Sequence, residues 1–147
     1  MRIIRLVFLV SIIALLGACS CRTKSVGQGN IPLAEEGNIL EDIHFAFDRY
    51  DLSETARGIL KANSSWLQEN PDATSVIEGH CDERGTQEYN MALGQKRAQA
   101  AYDYLRGLGI ASDRMSTVSY GEELPLDPRH TEEAWAKNRR AHFRVQQ

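Results

Sequence analysis

The chain has 147 residues, of which 42% are hydrophobic and 25% charged, with a formal net charge of −3. That length accommodates one domain of ordinary size and a tail, and the composition is that of a globular protein, not a disordered or collagen-like one. A net negative balance excludes general affinity for nucleic acid and supplies no pull toward anionic lipid.

The chain opens on a short basic stretch, Met1-Arg2-Ile3-Ile4-Arg5, followed by an apolar run from Leu6 to Leu16 broken only by Ser11. The run has the length of a signal-peptide core and is too short to span a bilayer. It ends in Leu16-Gly17-Ala18-Cys19, which resembles the bacterial lipobox, where the chain is cut before the cysteine and its sulfur carries lipid. The expectation is a lipoprotein signal peptide over 1–18 and a lipidated flexible linker over 19–38. Cys19 is then the lipidation site, and that covalent lipid is the one non-protein group expected, with no cofactor and no metal. Lipid there anchors the protein to a membrane without spanning it. Ser20 follows, where an aspartate would resemble an inner-membrane retention signal, so the implied location is the periplasmic face of the outer membrane. Gly27, Gly29, Asn30, Pro32 and Gly37 break periodicity across the linker. Cys21 falls in it, and Cys81 reads as a small, partly buried strand residue.

The folded domain is expected over 39–147. Ile43, Phe45 and Phe47 alternate with polar neighbours, which predicts a strand through Asp48. Ser53 is a candidate helix cap, and Ala56, Ile59, Leu60, Trp66 and Leu67 recur at helical spacing, placing Trp66 in the core. Asn70-Pro71 stops that helix. Thr74 to His80 predicts a second strand, and a strand–helix–strand unit of this length suggests parallel pairing of the two. A long second helix carries Leu93, Ala100, Ala101, Tyr104, Leu105 and Leu108 on its buried stripe. Gly94 inside it weakens the helix, so it is expected to permit close packing. A third strand covers Met115 to Tyr120. A short helix capped by Thr131 follows, and then a last strand in which Ala141, Phe143 and Val145 alternate with Arg140, His142 and Arg144.

Between the second strand and the second helix lies Gly79-His80-Cys81-Asp82-Glu83-Arg84-Gly85-Thr86-Gln87-Glu88-Tyr89-Asn90, a charged turn that reads on to Arg97. Loops held on a rigid scaffold are where binding residues concentrate. With Ser119-Tyr120-Gly121-Glu122-Glu123 and Ala134-Trp135-Ala136-Lys137-Asn138-Arg139-Arg140, it resembles the OmpA-like peptidoglycan-binding domains. Within that family it is most similar to the peptidoglycan-associated lipoproteins, over about residues 40 to 146. The resemblance implies an α/β (α+β) fold, a mixed four-stranded sheet with helices packed on one face, in the order β-α-β-α-β-(short α)-β. It implies noncovalent binding of the diaminopimelate in the peptide stem of peptidoglycan, with Asp82 and Arg97 as the paired ligands. Asp48, Thr86, Asn90, Asn138 and Arg139 are implied as further site residues. It implies a place in the Tol-Pal system and a TolB-type periplasmic β-propeller as partner. A stator of the same superfamily would need a spanning helix in place of the lipobox. A cell-wall hydrolase using His80 and Asp82 is the alternative from another class. No histidine pair has metal-ligand spacing and no serine or cysteine has a nucleophile's context, so the expectation is a binding protein, not an enzyme.

Overall fold

The computed structural model describes residues 39–146. The leader, Cys19, Cys21 and the expected linker lie outside them. The elements are β1 (Ile43–His44), α1 (Glu54–Glu69), β2 (Thr74–His80), α2 (Gln87–Gly107), β3 (Met115–Gly121), α3 (Glu132–Asn138) and β4 (Arg140–Gln146). A single turn of 3-10 helix, Ser112–Arg114, leads into β3. Each α-helix begins on a hydroxyl cap. Ser53 accepts from the backbone of Ala56, Thr86 from Tyr89 and Thr131 from Ala134. These contacts satisfy N–H groups that a helix start leaves unpaired.

The strands form one mixed sheet in the order β1-β4-β2-β3. β2 and β3 are parallel, and β4 runs antiparallel to both β1 and β2. The expected pairing of β1 with β2 is therefore not made, because β4 inserts between them. The hydrogen-bonded parallel pair is β2–β3, joined by α2 as its crossover. β1 is also shorter than expected. Pairing stops at His44, and residues 45–50 leave the sheet as a loop in which Asp48 adopts a left-handed backbone, φ 56°. Phe45 still turns into the core, while Phe47 is 54% exposed.

Helices α1 and α2 cover one face of the sheet. Leu60 and Leu67 of α1 and Ala98, Ala101 and Leu105 of α2 pack with Ile43, Ile77, Ala141 and Phe143 of the strands in one cluster. Trp66 lies at the edge of that cluster, partly buried, and not at its centre. Burial of this apolar surface is the main term favouring the fold. Gly79 of β2 and Gly94 of α2 face each other so closely that a β-carbon at Gly94 would lie 2.8 Å from the Gly79 carbonyl oxygen and against the Ser119 hydroxyl. The missing side chains set how near α2 approaches β2, and hence where the first turns of α2 stand.

The opposite face is polar. Glu78, His80, Arg140, His142 and Arg144 alternate with the core-facing residues of β2 and β4. Arg144 donates to Glu78 at 2.8 Å, and His142 pairs with Asp42 at 2.9 Å. His80 is 2% exposed, stacks on Tyr120 with ring centroids 5.6 Å apart, and has no hydrogen-bond partner for either ring nitrogen among the described residues. Burial, with the nearby Arg140 and His142, pushes its pKa down to about 3.

Two glycine substitutions should separate packing from propensity. Gly94→Ala should destabilise the protein by roughly 1–3 kcal/mol through overpacking, although alanine favours a helix. In α1 a β-carbon at Gly58 would meet nothing within 4 Å, so Gly58→Ala should stabilise by about 0.5–1 kcal/mol. Denaturant midpoints of the two variants check both signs. His80 should give an acid-sensitive stability. The unfolded chain takes up this proton below the ordinary value of 6.5, and the folded chain does not until about pH 3. Stability is therefore fully present above 6.5 and falls with pH, by at most about 1.4 kcal/mol per unit from this residue. His142, held above its ordinary value by Asp42, acts in the other direction and at higher pH. Melting temperatures between pH 6.5 and about 4.5 should fall less steeply for His80→Phe than for the wild type. Some acid sensitivity should remain, because burial lowers His44 as well.

Candidate ligand-binding site

Two loops meet beyond the end of β2. One is 45–50, after β1; the other is 81–86, which links β2 to the cap of α2. Between them opens a cavity of about 220 Å³. Phe47 and Asp48 come from the first loop, Cys81, Asp82, Arg84 and Gly85 from the second, and Tyr89, Asn90, Leu93 and Arg97 from α2. Gly85 sits at φ 126°, a conformation that a side chain would strain.

Arg97 reaches this wall from the middle of α2 and is 1% exposed. Its guanidinium donates to three backbone carbonyls: Arg49 through Nε at 2.9 Å, His80 through Nη1 at 2.7 Å and Ala46 through Nη2 at 3.2 Å. It lies 5.2 Å from the Phe45 ring centroid. Burial draws its pKa below the usual arginine value, yet three carbonyl oxygens converge where the charge is. Of the five N–H groups of an arginine, two remain, one on each terminal nitrogen.

Asp82 is also buried, and its carboxylate is fully occupied. Oδ1 accepts from the Arg84 backbone N at 3.1 Å and from Arg84 Nε at 3.2 Å. Oδ2 accepts from Arg84 Nη2 at 2.7 Å and from Arg139 Nη1 at 3.1 Å. Burial pushes the Asp82 pKa up, but the bonds from Arg84 and Arg139 outweigh it and hold the carboxyl below its ordinary value. The guanidinium of Arg84 is stacked between two rings, 4.0 Å from the Phe47 centroid and 4.3 Å from that of Trp135. Trp135 is held in turn by its indole N–H, which donates to Glu83 at 2.9 Å, and Glu83 also pairs with His130.

The remaining expected residues divide into wall and support. Asp48 is on the wall and accepts from the Tyr89 hydroxyl. Asn90 is on the wall and ties the turn together, with Nδ2 3.3 Å from the Asp82 and Arg84 carbonyls and 2.5 Å from Glu122. Thr86 caps α2 and does not line the cavity. Asn138 grips the backbone N–H and carbonyl of Asp127, at 2.9 and 2.8 Å, and so fixes the loop before α3. Arg139 bridges, donating to Asp82, to Glu132 and to the Phe45 carbonyl. An ion pair between Asp82 and Arg97 is not formed, since each has other partners. His80 and Asp82 are not brought together either: the imidazole stacks on Tyr120, away from the carboxylate. Among the described residues no group of three or more His, Cys, Asp or Glu side chains is placed to hold a metal ion. Sequence reasoning missed Arg84, Phe47, Tyr89 and Leu93. The signals were an Asp-x-Arg pair inside the turn and an aromatic residue just after the first strand. Cys81 is more buried than expected, 3% exposed at the cavity, where its thiol is pushed up to about 11 by burial.

Comparison with known proteins bears on what this cavity belongs to. Residues 44–139 match the OmpA family. The chain is 40% identical over 136 residues to the peptidoglycan-associated lipoprotein of Haemophilus influenzae, covering 88% of this chain and 89% of that one. It is 42% identical over 133 residues to that of Pasteurella multocida, with the same coverage. The chain belongs to the OmpA family, among the peptidoglycan-associated lipoproteins. The crystal structure of the peptidoglycan-associated lipoprotein from Burkholderia pseudomallei superposes with a TM-score of 0.70 at 39% identity, over 82% of this chain and 98% of that chain. The C-terminal domain of Helicobacter pylori MotB shares the fold at 17% identity and a TM-score of 0.68. Among the described residues no helix is long and apolar enough to cross a membrane.

Proposed function

We propose that this protein is an outer-membrane lipoprotein that binds peptidoglycan noncovalently, through the diaminopimelate of the peptide stem. The observation that carries this reading is a cavity of about 220 Å³ with a buried carboxylate, Asp82, and a buried guanidinium, Arg97, in its wall. The free end of diaminopimelate bears an ammonium and a carboxylate on one carbon. An acid and a base held apart by separate structural anchors suit such a zwitterion, because they cannot neutralise each other when the site is empty. Arg97 has one N–H left on each terminal nitrogen, the geometry for two parallel bonds to a carboxylate, which lysine cannot match. The name of the relatives, peptidoglycan-associated lipoprotein, supports peptidoglycan as the polymer bound.

The anchor is the second half of the proposal. Lipid on Cys19 after removal of 1–18, with 19–38 as linker, would hold the 39–147 domain at the periplasmic face of the outer membrane. Two modest attachments to two layers, joined by a linker that lets both engage, make an effective tether. This tether would work within the Tol-Pal system, with a TolB-type β-propeller as its protein partner. The role is binding and not catalysis, and the hydrolase alternative gains nothing from an imidazole that stands apart from Asp82.

The test is a titration with two stem peptides, one carrying diaminopimelate and one carrying lysine in its place. The lysine peptide lacks the terminal carboxylate and should bind more weakly. Asp82→Asn should weaken diaminopimelate binding by roughly 2–5 kcal/mol, as for a desolvated charged contact. Arg97→Lys should lose most of the discrimination between the peptides. Arg97→Ala should lower stability as well, since it strips three carbonyls, one of them buried, of their donor. Equal affinity of the wild type for the two peptides would refute the proposed site.

A further inference from the structure

An ionised carboxylate offers about four lone-pair sites, and in Asp82 all four are taken: two by the backbone and Nε of Arg84 on Oδ1, and two by Arg84 Nη2 and Arg139 Nη1 on Oδ2. An incoming ammonium finds no vacant acceptor there. Something must let go, and the donors differ in how freely they can. The Arg84 backbone N–H belongs to the turn itself. Arg139 is 7% exposed and is fixed by its bonds to the Phe45 carbonyl and Glu132. The Arg84 side chain is 32% exposed and lies over the rings of both Phe47 and Trp135. Attraction of a cation to a ring face holds out to about 6 Å from the centroid, so a guanidinium over two rings can shift without losing them. A second carboxylate waits at the far side, with Glu132 Oε2 3.5 Å from Arg84 Nη1.

We propose that Arg84 is a specificity-determining residue of this site, a resident counter-ion of Asp82 that only a ligand with both an ammonium and a carboxylate displaces efficiently. This rests on the reading of the cavity as a site for the diaminopimelate end. The zwitterion supplies the ammonium that takes the place of Arg84 on Asp82. It also brings a carboxylate, so the net positive charge added beside the released guanidinium is zero. A simple amine must evict Arg84 and leave its own uncompensated positive charge next to Arg84, Arg97 and Arg139. Like charges brought together in a partly buried site are costly. Discrimination against lysine therefore has two sources: the contact that Arg97 loses, and the competition that Arg84 imposes. Trp135 acts as a positioning residue for the second, held in place through Glu83.

The experiment measures affinities of the full-length protein for a diaminopimelate stem peptide and a lysine stem peptide. The proteins are wild type, Arg84→Ala, Arg84→Gln, Asp82→Asn and the Arg84→Gln/Asp82→Asn double variant, with thermal melts confirming that each is folded. Both Arg84 variants should bind the lysine peptide more tightly, by roughly five- to twentyfold, the range expected for removal of a partly exposed charged competitor. Binding of the diaminopimelate peptide should change less, so selectivity shrinks. The gain should vanish in the double variant, where the acceptor is gone. In a Trp66→Phe background, emission from Trp135 should shift when wild type binds the diaminopimelate peptide and should stay put in Arg84→Gln. Lysine-peptide affinity that is unchanged or lower in both Arg84 variants overturns the proposal while leaving the site standing, provided that wild type discriminates and Asp82→Asn weakens binding. Failure of those two conditions overturns the site itself, and this inference with it.

Discussion

A guanidinium with almost no access to water is the constraint around which this domain is arranged. Arg97 sits in the middle of α2, at a position where helical spacing would otherwise call for an apolar residue. It is tolerated because two separate stretches of chain turn their carbonyls toward it: Ala46 and Arg49 from the loop after β1, and His80 from the end of β2. A buried charge without such partners would cost several kcal/mol. The dependence runs the other way too. Residues 45–50 have left the sheet, and this arginine on one side and Arg139 on the other help hold them beside β2. The loop that supplies Phe47 and Asp48 to the cavity is therefore shaped by the same group that would meet a ligand's carboxylate. Structure and recognition are not separable at this residue.

The fold delivers Arg97 to that point by close approach. α2 crosses β2 at Gly94 against Gly79, with no side chain between them. One turn further along, Arg97 reaches over the end of the strand to the His80 carbonyl. The insertion of β4 between β1 and β2 brings in the other cation, since Arg139 immediately precedes β4 and exchanges backbone and side-chain bonds with Phe45. Arg97 and Arg139 thus approach the turn from two sides, one bonded to its strand end and the other to Asp82. Arg84, from the turn itself, is the most exposed of the three.

Much of this was legible in the sequence, for reasons that differ from residue to residue. Two helix starts were, because Ser53 and Thr131 act on N–H groups three residues away; the cap of α2, Thr86, was not read as one. The role of Gly94 was, since a glycine inside a helix needs a reason and a close neighbour is the usual one. Strand order was not: β4 pairs with β1, far earlier in the chain, and nothing in the alternation of Ala141, Phe143 and Val145 names their partners. The end of β1 was misjudged because Phe45 and Phe47 keep the alternating pattern after the ladder has stopped. Asp82 and Arg97 were legible as a pair only through resemblance to a family. That Arg97 would be buried on three carbonyls was not, because carbonyls carry no signature in sequence. The stacking of Arg84 draws on residues 47, 84 and 135, three segments that only the folded chain assembles.

On this account Arg97 stays bonded to the loop after β1 and to the end of β2 while its remaining N–H groups take the ligand's carboxylate. Nitrogen-15 spectra of the arginine side chains, recorded through a titration with the diaminopimelate peptide, test it most directly. The Arg97 Nε–H should exchange slowly with water before and after binding, its bond to Arg49 being kept. The Arg97 terminal N–H signals should shift with the diaminopimelate peptide and hardly at all with the lysine peptide. Rapid exchange of that Nε–H in the free protein, or the same shifts with both peptides, would contradict the account.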